Sequence, residues 1–90
     1  MPSKSLKPIL VEWIDSCEPA VNSDITEDEF PSPQVIQSLG WLAFDGSTHI
    51  VLAGAVKEDA YAGRTYDYVI SIPVVAIIKR EEVRLVGASP

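Results

Sequence analysis

Nucleophilic and basic side chains are scarce in this sequence, and the scarcity narrows what it does. The 90 residues contain one cysteine, Cys17, and one histidine, His49. A single cysteine excludes an internal disulfide framework and fits a reducing compartment. A thiol nucleophile needs a neighbouring base, so Cys17 and His49 are the only catalytic pair on offer, and a lone cysteine is more often a small buried hydrophobe. Structural zinc takes about four nitrogen or sulfur ligands, more than these two side chains supply. Lys and Arg number 7 against 13 Asp and Glu, a formal net charge of −6. Nucleic-acid affinity is dominated by neutralised phosphates, so this balance disfavours a polyanion; Lys79, Arg80 and Arg84 are the only basic cluster. Long apolar runs are missing as well. The most apolar stretch, 69–78, is broken by Ser71 and Pro73 and falls far short of the ~20 residues of a membrane helix. No apolar segment of signal-peptide type follows the opening basic residues. The expectation is a cytoplasmic, non-enzymatic protein with no cofactor, no metal and no membrane partner.

What is present points to one domain over 1–90 and a mainly β fold. Hydrophobic residues make up 47% of the chain, enough for a single core. Leu6 to Asp15 reads as a first strand rich in β-branched and aromatic types, with Pro8 near its start. Gln34–Asp45 and His49–Val56 read as a second and third strand joined at Asp45-Gly46-Ser47, where glycine supplies the positive φ of a tight hairpin turn. Gly40 and Gly54 inside these strands mark bends or close approaches. Lys57 to Arg64 reads as a polar turn. Thr65–Ile72 is a fourth strand, with Tyr66, Tyr68, Ile70 and Ile72 on one face. Residues 73–76 suit a single tight turn before a fifth strand over 77–86, with a bulge or exposed stretch at Lys79 to Glu82. Residues 87–90 form a fraying tail. The plan is a small five-stranded antiparallel barrel of Sm-like type, with an open antiparallel sheet or β-roll as the alternative.

Between the first two strands, residues 16–33 form a long acidic loop with three prolines and no Lys or Arg. Thr26 and Glu29 have capping-box spacing, which predicts one helical turn. Asp24, Thr26 and Asp28 imitate the first positions of a calcium loop, but Glu29 stands where glycine is needed and Val35 where the last carboxylate belongs. Clustered carboxylates are usually a solvated face; the sharper reading makes Glu27, Asp28 and Glu29 a contact for a basic host protein.

Several segments are familiar in combination: Val11-Glu12-Trp13-Ile14-Asp15-Ser16-Cys17, Ser38-Leu39-Gly40-Trp41-Leu42, Ile50-Val51-Leu52-Ala53 and Ile70-Ser71-Ile72-Pro73, with Ala76-Ile77 after them. Over roughly residues 9–80 the chain resembles a group of short proteins of tailed bacteriophages and prophages. It departs from them where Lys79-Arg80-Glu81-Glu82 extends the end. The resemblance implies a phage or prophage origin and a bacterial host cytoplasm, and brings no catalytic residues with it.

The remaining candidates concern association. Trp13 and Trp41 sit on strands and read as core aromatics. Alternation fades over 69–78, and a strand apolar on both faces needs more cover than so small a chain provides. Val69, Ile72, Val74 and Ile78 are therefore expected to form a homo-oligomer interface, which makes the protein an interaction or assembly module with itself as first partner. The alternative is a binder of a small anionic ligand or nucleic acid at pockets between subunits, with Tyr61, Arg64 and Tyr66 as ligand-binding residues.

Overall fold

The computed structural model describes residues 5–16, 23–84 and 86. Five strands form one sheet: β1 (Pro8–Asp15), β2 (Gln34–Asp45), β3 (His49–Asp59), β4 (Gly63–Pro73) and β5 (Ile77–Glu82). Their order across the sheet is β4-β3-β2-β1-β5, and every neighbouring pair is antiparallel. A 3₁₀ turn, Val74–Ala76, links β4 to β5, and another, Glu27–Glu29, lies between β1 and β2.

The hairpin of β3 and β4 reaches further than its hydrophobicity suggests. Residues expected in a polar turn continue the ladder, with Lys57 opposite Thr65 and Glu58 opposite Arg64. Charge pairs support this extension: Arg64 Nε lies 2.7 Å from the Glu58 carboxylate and Lys57 Nζ 3.0 Å from that of Asp67. The turn shrinks to residues 60–62. The Asp59 carboxylate accepts hydrogen bonds from the amides of Tyr61 (2.7 Å) and Ala62 (2.9 Å), and Gly63 takes the positive φ of +76°. At the other end the fifth strand stops at Glu82, earlier than expected. Lys79 to Glu82 are exposed, the second of the two expectations for them, and the bulge lies elsewhere. Lys79 to Glu82 pair regularly with Glu12 to Ile9, and the extra residue is Ile78, between partners Trp13–Ile77 and Glu12–Lys79.

The core gathers on one face. Ile9, Val11 and Trp13 of β1 meet Ile50 and Leu52 of β3 and Ile72 of β4, with Ile36, Leu42, Ala76 and Ile77 packed around them. The buried Trp13 indole N–H donates to the Ser38 hydroxyl at 3.0 Å, so its polar edge is satisfied within the sheet.

The expected closed barrel is not formed; the sheet is open, and among the described residues the outer edges of β4 and β5 are paired with no strand. The reason is geometric. Four antiparallel steps from β4 to β5 leave the two running in the same direction. Closing the barrel would make them parallel neighbours, and parallel neighbours need a crossover of a dozen or more residues. The link here is the three-residue turn Val74–Ala76.

Two glycines serve space rather than turn conformation. A Cβ on Gly46 would fall 2.4 Å from the Phe44 ring, and Gly46 is not among the positive-φ residues, so its role is room for that ring. A Cβ on Gly54 would lie 3.0 Å from Cβ of Tyr68. Tyr68 is itself unusual: φ is +56° in mid-strand and the side chain is 86% exposed. An L-residue in this left-handed region costs roughly 1–2 kcal/mol, and the exposed ring returns little burial. Replacing Tyr68 by glycine is therefore expected to raise stability by about 1 kcal/mol in urea unfolding, whereas the same replacement at a regular strand position lowers it.

Candidate functional site

The expected interface residues fall into two groups. Ile72 is a core residue with 0% exposure, so its side chain is unavailable to a second copy; its neighbours Ile50 and Val11 already enclose it. Val69, Val74 and Ile78 are exposed, and Ile70 and Val75 join them, Val75 at 96%. These side chains lie along β4, the second 3₁₀ turn and β5, the three elements that border the open edges. Alternation along β4 identified its apolar content but not which end of the strand reaches the core.

A cleft of about 550 Å³ opens where the start of β1 and the end of β2 approach β4. Lys7, Leu42, Phe44, Asp45, Arg64 and Tyr66 line it together with Ser5, Leu6 and Ala43. An adjoining pocket of about 220 Å³ shares Leu6 and Arg64 and adds Trp41 and Val56. Of the expected ligand residues, Arg64 and Tyr66 come together here, two apart on β4. Tyr61 does not; it stands fully exposed at the β3–β4 turn. Trp41, expected in the core, is only half-buried and forms part of the cleft wall. Sequence reading missed Lys7, Phe44 and Asp45. Phe44 and Asp45 follow a register shift in the β2–β3 pairing between Leu42 and Phe44, which no residue pattern announces, and Lys7 continues the β1–β2 ladder, its carbonyl accepting from the Leu42 amide at 2.8 Å. The tilted stack of Phe44 on His49, with centroids 5.1 Å apart, fixes the ring over the Gly46 turn.

Charges around the cleft are paired. Glu58 accepts from Arg64 Nε and raises the guanidinium pKa, with Tyr66 adding to the effect. Arg80 donates to both Asp45 oxygens at 3.0 and 3.2 Å, tying β5 to the end of β2. Those hydrogen bonds hold the Asp45 carboxyl below its ordinary range. Lys7 sits 3.7 Å from Glu82, and both side chains are largely exposed.

In the acidic segment, Glu27, Asp28 and Glu29 form the expected single turn and are exposed. The contacts differ from a capping box: the Thr26 hydroxyl bonds the carboxylates of Glu29, at 2.8 Å, and Asp28. Residues 17–22 of that loop, Cys17 included, lie outside the described residues, as do residues 87–90. Among the described residues no three His, Cys, Asp or Glu side chains gather as a metal site, and no helix is long and apolar enough to cross a membrane.

Comparison with protein-family models, curated proteins and solved structures finds no match to this chain.

A carboxylate held below its unfolded pKa stabilises the fold above that unfolded value, about 3.9, and loses the contribution as pH falls through the folded one. Because the Asp45 side chain is 55% exposed, the pair contributes under about 1 kcal/mol. Asp45→Asn is expected to melt below the parent protein at neutral pH. The gap should close below about pH 4 as the parent loses the same interaction, which thermal melts across pH measure directly.

Proposed function

We propose that this chain is a homo-oligomeric assembly module rather than an enzyme, built by pairing the β4 edge of one copy with the β5 edge of the next. The observation that carries this reading is the pair of unpaired edges on one open sheet, bordered by exposed Val69, Ile70, Val74, Val75 and Ile78. Unpaired edges are templates for strand addition, and natural sheets usually blunt or cover them. Edges that differ from one another favour head-to-tail addition, which closes into a ring where the rotation permits. Charge argues in the same direction. A two-fold axis through any of Lys79, Arg80, Glu81 or Glu82 would set that residue against its own copy, so β5 is a poor partner for itself.

The Sm-like reading of the fold belongs to this proposal. It is supported by the strand order and by the single 3₁₀ turn between the last two strands. A phage or prophage origin, and with it a bacterial cytoplasm, rests on the sequence resemblance alone. The exposed Glu27–Glu29 turn is the surface to test for a basic host partner.

Native mass spectrometry decides the reading. The parent protein is expected as a defined multiple of 9.8 kDa, and Val69→Lys or Ile78→Lys as the single chain. Both positions are half-exposed, so either lysine is compatible with the folded monomer. A parent protein of 9.8 kDa at every concentration contradicts the proposal.

A further inference from the structure

The cleft beside β4 brings aromatic walls and two cations together. The 550 Å³ cleft is large enough for a small organic ligand, and the 220 Å³ pocket adjoins it at Leu6 and Arg64. Three aromatic side chains, Trp41, Phe44 and Tyr66, are distributed along it, and Lys7 and Arg64 bring two cations. Apolar and aromatic walls with a few placed polar groups are the usual make-up of a small-molecule site.

The two cations are not equivalent. Arg64 is mostly covered; Glu58 accepts from its Nε and Tyr66 also bonds the guanidinium, which together engage two of its five N–H donors. Lys7 is two-thirds exposed, and its 3.7 Å pair with Glu82 is loose, so exchanging that carboxylate for a ligand anion costs little. Each cation having an acidic neighbour, the groove carries almost no net charge. That balance disfavours a polyphosphate, and the chain's −6 charge further opposes a nucleic-acid strand; a single anion is accommodated by displacing the Glu82 carboxylate from Lys7.

We propose that this groove binds a small planar aromatic molecule bearing a single anionic group, its ring against Phe44 and Tyr66 and its anion on Arg64 and Lys7. The site lies within one chain and does not depend on assembly.

Adenosine 5′-monophosphate is a suitable probe, followed by backbone amide NMR shifts alongside adenosine and inorganic phosphate. AMP is expected to shift amides around Lys7, Phe44, Arg64 and Tyr66 at millimolar concentration, and both fragments to bind more weakly. Arg64→Met and Lys7→Met should each weaken AMP by about tenfold, the loss of one charge-assisted hydrogen bond. Should Arg64→Met perturb the fold, Lys7→Met, at a mostly exposed position, carries the test alone. Three results overturn the proposal: no shifts with AMP, shifts confined to other surfaces, or phosphate alone binding as tightly as AMP. A single-stranded oligonucleotide that binds tighter, with steep salt dependence, also overturns it in favour of a polyanion.

Discussion

Three residues separate Pro73 at the end of β4 from Ile77 at the start of β5, and those two strands are the opposite edges of the sheet. Four peptide steps span at most about 14 Å. In a flat five-stranded sheet the two points would lie four strands apart and at opposite strand ends, well beyond that reach. The sheet therefore has to coil until the end of one edge meets the beginning of the other. Coiling sets Ile9, Val11 and Trp13 against Ile50, Leu52 and Ile72, with Ala76 of the linking turn packed alongside. The short link thus shapes the core. It also forbids closure, because edges that run the same way cannot pair across so short a connection.

The features that matter for function follow from that constraint. Edges left open carry exposed apolar side chains, Val69 and Ile70 on β4 and Ile78 on β5, which the core of this one chain has no room to cover. At the far end of the coil, the extended β3–β4 hairpin leaves a groove between Arg64 and Tyr66 on one side and Lys7 and Phe44 on the other. Arg80 spans between β5 and the end of β2 to hold Asp45, joining strands that are not neighbours in the sheet. The strained backbone at Tyr68 interrupts β4 opposite Gly54, at the middle of the edge proposed for assembly. A kink of this kind limits indiscriminate edge-to-edge pairing.

Much of the fold was legible because its determinants are local. β2 was read residue for residue, since Pro33 and the Asp45-Gly46 turn delimit it. The tight turn after Pro73 was readable because proline ends the strand and the short apolar run 74–78 leaves room for a single turn before the charged end of the next strand. What escaped depends on pairing. The openness of the sheet follows from strand direction and count together. Ile72 and Val69 are both apolar, yet one is fully buried and the other half-exposed, because they lie on opposite faces of β4 and the core covers only one of them. Of the groove, Arg64 and Tyr66 were found because they are close in sequence; Phe44 arrives there past a register shift in the β2–β3 pairing, and Lys7 by extending the β1–β2 ladder beyond Pro8.

Amide hydrogen exchange across a dilution series tests the account most directly, since it reports whether the two edges are covered by a second copy. β1, β2 and β3 should stay protected at all concentrations. The outward-facing amides of β4 and β5, those not bonded to β3 and β1, should be protected in concentrated protein and lose that protection together on dilution. Edge amides whose exchange is the same at every concentration would contradict assembly through the open edges.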